Sequence, residues 1–288
     1  MPRLLIATDF STRSDRALRR ACLLAKSLPA ALALVHVIDP DRPAALVEAE
    51  RRAAETLLAG MQRGLREVDG IDCDVRLVEG EPFEGIASAV SDSGADLVVI
   101  GPHRRQLLRD VFVGTTAERT VRTSRRPVLM CNAVPVEPYR RIAVAVDLSA
   151  VSAAALRSVY ALGLDRGAAV SVLHVFDALA ADLGLRSPGL PVAGAEMVEQ
   201  ARQQAQQDVV HFLQRHGLPS LPIELYRNDG AAGAVIQAAA ERCGADLLVL
   251  GTRGQRQLAV QMLGSVAEAV MRVARIDVLA VPPGDTGA

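Results

Sequence analysis

The chain repeats itself. Arg3 to Ser11 (Arg-Leu-Leu-Ile-Ala-Thr-Asp-Phe-Ser) aligns with Arg141 to Ser149 (Arg-Ile-Ala-Val-Ala-Val-Asp-Leu-Ser) at an offset of 138. The same offset matches Ser14, Ala17, Leu18 and Arg19 with Ser152, Ala155, Leu156 and Arg157, and His36-Val37 with His174-Val175. Downstream the offset becomes 150, where Gly94-Ala95-Asp96-Leu97 meets Gly244-Ala245-Asp246-Leu247 and Gly114-Thr115 meets Gly264-Ser265. Such a duplication predicts one module present in two copies. The added 12 residues fall around Ala178 to Ala195, where Gly184, Pro188, Gly189, Pro191 and Gly194 predict a loop.

Within each half the hydrophobic period switches between strand and helix. Short apolar runs at 4–8, 32–38, 75–78, 97–100 and 128–131 read as fully buried strands, and helical patterns at 14–28, 41–68, 82–93 and 114–124 lie between them. Ser14 or Asp15 is placed to cap the first helix, and Pro82 suits the first turn of the third. The second half predicts strands near 142–146, 169–175, 222–227, 246–250 and 277–281. Strand-helix alternation implies parallel pairing through right-handed crossovers. The expected fold is α/β: two tandem doubly wound domains, at 1–132 and 140–284, joined by a linker at 133–139 containing Pro135 and Pro138. Each would be an open five-stranded parallel sheet flanked by helices. Only 3% of the residues are aromatic while half are hydrophobic, so the cores must be built from Ala, Val and Leu, as helix-on-sheet packing allows.

Composition excludes several functions. A net charge of −1 supplies no bulk attraction to nucleic acid or anionic membrane. Lys26 is the one lysine among 32 basic residues, which leaves almost nothing for Schiff-base or phosphate-bridging lysine chemistry. Cys22, Cys73, Cys131 and Cys243 form no Cys-x-x-Cys pair and read as buried thiols in a reducing compartment. Met1-Pro2-Arg3 runs straight into an apolar strand with no leader-like segment, so a cytoplasmic location is expected.

In doubly wound sheets the ligand crevice lies at the carboxyl ends of the strands. Asp147, Val175 and Gly251 each fall at a strand end in the second half, and Gly264-Ser265 opens the next helix, whose free N–H groups favour an anion. Gly251-Thr252-Arg253-Gly254, nine residues, then Gly264-Ser265 form a spacing whose glycines let backbone approach phosphate oxygens. The first half carries the same spacing damaged: Gly101-Pro102-His103-Arg104, then Gly114-Thr115. The second glycine is expected at positive φ, where a side chain such as that of Arg104 costs on the order of 1–2 kcal/mol.

These motifs resemble the universal stress protein family, in two copies covering residues 3 to 283. The resemblance implies that ATP, with or without Mg, binds the second half. Gly251, Gly254 and Gly264 would wrap the phosphates, completed by Ser265 and the backbone of Val266. Ala145, Val146, Asp147 and the main chain of Val175 would meet adenine and ribose, and Arg253 would neutralise phosphate charge. Family members pair through their last strands, which implies an intramolecular pseudo-dimer, with further homo-dimerisation and an unidentified protein partner open. The implied role is a stress-response switch or sensor, with no catalytic residue assigned. A nucleotide-independent scaffold and a slow ATPase or adenylate-handling enzyme are the alternatives. No nucleic acid or membrane partner is expected.

Other candidates carry bland readings. Asp9 and Asp147 read as caps or ribose ligands, and His36 and His174 as half-buried packing residues. His211 and His216 are five apart, the wrong spacing for two metal ligands on one helix face. Arg104, Arg105, Arg109, Arg119, Arg122, Arg125 and Arg126 concentrate positive charge that reads as a solvated face.

Overall fold

A computed structural model describes residues 1–102, 115–178, 191–228, 230–254 and 262–284, with the backbone alone at 191–194. The first half runs β1 (Arg3–Ala7), α1 (Thr12–Ser27), β2 (Ala31–Ile38), α2 (Ala44–Gly64) with a π-helical turn over Leu65–Asp69, and β3 (Cys73–Glu79). It continues through α3 (Pro82–Ser93), β4 (Leu97–Ile100), α4 (Thr116–Thr123) and β5 (Val128–Met130). The second half runs β6 (Arg141–Val146), α5 (Ala150–Ala161), β7 (Ala169–Phe176), α6 (Pro191–Arg215) and β8 (Ile223–Arg227). It closes with α7 (Ala232–Arg242), β9 (Leu247–Gly251), α8 (Ser265–Val273) and β10 (Asp277–Val281).

The ten strands form one sheet in the order β3-β2-β1-β4-β5-β10-β9-β6-β7-β8. Pairing is parallel inside each half, and the halves join where β5 meets β10 antiparallel, with Leu129 opposite Leu279. The two five-stranded layers expected from the repeat are thus fused edge to edge, and each half covers the other's last strand. Helices cover both faces, so most strand residues are buried. On one face α1, α5 and α6 contribute Leu24, Leu156 and Phe212; on the other α3, α7 and α8 contribute Ile86, Ile236 and Met271. Among the described residues no helix is long and apolar enough to cross a membrane.

Two local expectations are corrected. Ser11, not Ser14 or Asp15, caps α1 by accepting from the Ser14 amide, because Phe10 turns the chain in the left-handed region (φ 57°) and starts the helix earlier. Ser149 and Leu148 (φ 63°) repeat this arrangement at α5. The inserted segment is not loop throughout: α6 begins at Pro191, a residue with φ preset for a first helical turn. Residues 179–190 of that segment lie outside the described residues.

A buried ionic lock sits beside the seam. Arg20 of α1 donates from Nε to Asp277 of β10 at 2.8 Å and from one terminal nitrogen to the Glu137 carbonyl at 2.8 Å. Tyr139 donates its hydroxyl to the same carboxylate at 2.7 Å and lies under the guanidinium at 4.1 Å. The Ala133 amide occupies the other carboxylate oxygen at 2.9 Å. Linker and both halves therefore converge on one buried carboxylate.

Candidate functional site

The second-half crevice is built from the ends of β6, β7 and β9 and the start of α8. Ala145 and Val146 are buried in register with Leu173 and His174, so the strand ends stay level. Asp147 then leaves the sheet, exposed, and accepts from the Ser149 amide at 3.2 Å and hydroxyl at 2.6 Å. This turn, with Leu148 in the left-handed region, holds the carboxylate at the rim. His174 Nδ1 lies 2.8 Å from the Val146 carbonyl, so that nitrogen carries the proton and the ring braces β6. Val175 is half-buried, pairs with Tyr226 and packs toward the α7–α8 side.

At the end of β9, Gly251 is opposite Val281, and a Cβ at Gly251 would fall 2.7 Å from Val151 Cγ1 and 3.2 Å from the Arg253 carbonyl oxygen. A Cβ at Gly254 would lie 2.8 Å from Asp147 Oδ2. Neither glycine has a left-handed φ, which corrects the expected reason for glycine at 254. A Cβ there would meet only the exposed tip of the Asp147 side chain, which a small side-chain shift relieves, so close approach places Gly254 beside Asp147 without demanding glycine. Arg253 and Gly254 are half-buried; residues 255–261 lie outside the described residues. The far end of the loop returns where Gly264 donates its amide to the Thr252 carbonyl at 2.8 Å, while Thr252 donates to Val281 at 2.8 Å. This clasp seats the start of α8 beside the end of β9. Gly264 is the N-cap and among the described residues no side chain caps this helix, so the first-turn amides of Ser265, Val266 and Ala267 keep their donor capacity toward them.

All ten sequence-predicted residues, Ala145 to Asp147, Val175, Gly251, Arg253, Gly254 and Gly264 to Val266, thus lie at the ends of β6, β7 and β9, just after them, or at the start of α8. Sequence reasoning missed the Thr252–Gly264 clasp and the Ser149 turn, although the Asp-x-Ser spacing signals the latter. The constellation offers amide donors, a carboxylate acceptor and an arginine. No group of three or more potential metal-ligating side chains gathers among the described residues.

The first half repeats the frame. Asp9 accepts from the Ser11 amide at 3.1 Å and from its hydroxyl at 2.5 Å, and pairs with Arg13 at 3.3 Å. Partial burial raises the Asp9 carboxyl, but the hydrogen bonds from Ser11 and Ser14 and the Arg13 charge outweigh it and leave it lowered. His36 Nδ1 braces the Thr8 carbonyl at 2.8 Å. A Cβ at Gly101 would lie 2.6 Å from the Arg13 carbonyl oxygen, the counterpart of the Gly251–Val151 contact. Here the crevice encloses about 340 Å³. His103, Arg104, Arg105, Arg109 and Gly114 lie outside the described residues.

The chain is similar to known proteins over its whole length. A universal stress protein of Mycobacterium bovis is 23% identical, with 96% of this chain and 95% of that protein covered. The stress response protein NhaX of Bacillus subtilis is 27% identical, covering 44% of this chain and 96% of its own length. The crystal structure of a universal stress protein from Archaeoglobus fulgidus shares the fold, with a TM-score of 0.70, 19% identity and coverage of 99% of this chain and 97% of that one. The model of the universal stress protein family matches residues 1–132 and again 138–282, so the chain belongs to that family, with one copy in each half.

Proposed function

We propose that the second half binds ATP and that bound ATP biases a conformation or an association, making the protein a stress-response switch. The observation carrying this reading is the start of α8: among the described residues no side chain caps its first-turn amides, and it is clasped beside the end of β9 with Gly254 close to Asp147. Phosphates accept from such amides and gain from the helix dipole, and Asp147 suits ribose hydroxyls. Arg253 supplies positive charge, and an accompanying Mg would be held through the phosphates. The one lysine, Lys26, pairs with Asp69 at 2.6 Å on the flank of the first half, so a phosphate-bridging lysine is not at hand in the second half and the reading is binding rather than consumption. The four cysteines are free thiols, in keeping with a reducing cytoplasm.

The test is to denature the purified protein, identify released nucleotide by mass spectrometry and titrate ATP calorimetrically. About one equivalent per chain is expected, lost in Gly254→Arg, whose side chain must enter the space beside Asp147 Oδ2. Two equivalents of similar affinity, or none, would overturn the reading.

A further inference from the structure

The first-half crevice has diverged from its counterpart in chemistry while keeping its frame. Thr8, Arg13, Thr116 and Thr120 stand where the second half has Val146, Val151, Val266 and Val270. All four polar residues line the cavity of about 340 Å³. Its floor is apolar, from Ala7, Val35, Val37 and Ile86. Thr8 has a local partner set, accepting from the Phe10 amide at 3.0 Å and meeting the Ser14 hydroxyl at 3.1 Å. Thr120 has none. It is 2% exposed, and its Oγ1 is buried without a hydrogen-bond partner among the described residues. Val270 at the matching position is fully buried, so an apolar side chain of the same shape satisfies this site. Retaining a hydroxyl there is unfavourable for folding unless something else pairs with it. His36 Nε2 is likewise unpartnered, but strand alternation turns its ring away from Val35 and Val37 and under Phe10, at 4.3 Å between centroids. Thr120 therefore carries the signal.

The rim supplies charge. The Arg13 guanidinium is about a third exposed and engages Asp9 through one terminal nitrogen. Thr116 and Ala117, whose amides open the first turn of α4, also line the cavity, while Thr115 Oγ1 already takes the Glu118 amide at 3.1 Å. We infer that this crevice is a second ligand site, selective for a small organic anion that carries hydroxyls. The Thr120 hydroxyl would pair with a ligand hydroxyl inside the cavity, and Arg13 with the α4 amides would take the anionic end. A volume near the lower end of small-molecule clefts fits a ligand smaller than a nucleoside triphosphate. Sites built around a hydrogen-bonding group discriminate sharply against ligands that leave it unpaired.

The test uses the full chain, saturated with ATP to keep the second half out of play, and two probes: ribose 5-phosphate for a phosphate end and ribonate for a carboxylate end. One of them should bind saturably, and Thr120→Val should weaken it at least tenfold while leaving the melting temperature unchanged or raised. Whichever probe binds names the anion. Binding by neither at millimolar concentration, binding unmoved by Thr120→Val, or a melting temperature lowered by Thr120→Val would overturn the inference. The last result would mean that the hydroxyl serves the fold. Running the probe titrations again without ATP separates this site from the second-half reading: if ATP fails to bind, the probes still report on Thr120.

Discussion

Asp277→Ala should cost about 4 kcal/mol of folding stability, from the middle of the range for removing one member of a buried ion pair. The structure supplies the reason. The Asp277 carboxylate is fully buried and accepts from Arg20 Nε, the Tyr139 hydroxyl and the Ala133 amide. Removing it orphans two buried donors, one of them charged, and a partly buried amide, and leaves the guanidinium with the Glu137 carbonyl and the Tyr139 ring. In a chain of this size each kcal/mol moves the melting temperature about 2–4 °C, so a loss of roughly 8–16 °C is expected. Arg20→Met should also be strongly destabilising, because it leaves a buried carboxylate. The double variant removes both charges and should recover much of the loss, giving a coupling energy of at least about 2 kcal/mol. Urea denaturation followed by circular dichroism on the four proteins measures all of this. A cost below about 1 kcal/mol for Asp277→Ala, or strictly additive single variants, would show that the pair is not a lock.

Two further outcomes follow from packing. Gly251→Ala places a Cβ 2.7 Å from Val151 Cγ1 and should cost about 1–3 kcal/mol, with recovery on adding Val151→Ala; denaturation midpoints that ignore the second change would count against the contact. Iodoacetamide at pH 8 should modify one thiol per native chain, Cys243, which is only partly buried. Burial pushes the Cys22 thiol up to about 11 and the Cys73 thiol to about 12, and raises that of Cys131, which is fully enclosed, well above the ordinary thiol value. Rapid labelling of two or more thiols would show that the sheet interior opens.

The architecture was legible because spacing carries it. Apolar runs such as Leu97–Ile100 are buried at every residue, so period and length alone mark them as interior strands. The repeat did the rest, since one half's reading checks the other's. What escaped depends on contacts remote in sequence or on backbone that residue type does not advertise. Phe10 and Leu148 adopt left-handed φ although neither is Gly or Asn, and that turn moves the α1 cap to Ser11. Gly254 could be read as a loop glycine, but its nearness to Asp147 is something only the folded chain creates. Arg20 and Asp277 are 257 residues apart, and nothing local to either marks a partner. The start of α6 at Pro191 was masked by the turn-forming residues around it, whose composition resembles a loop more than a helix start.

Fusion explains why the two halves can differ where a symmetric dimer could not. A homodimer places every interface device twice, because its two-fold axis copies each residue onto the partner. Here the β5–β10 seam keeps that symmetry in its backbone register, Leu129 against Leu279. The lock does not: the repeat puts Ser158 where Arg20 has its counterpart and Pro127 where Asp277 has its own, and neither can form the ion pair. The crevices diverge in the same way, with Thr120 against Val270 and Arg13 against Val151. Each departure needs only one chain position to change, and the unaltered half keeps its own site. Joining the copies through 133–139 frees a single carboxylate to fix the interface and leaves each strand-end crevice to change its lining independently.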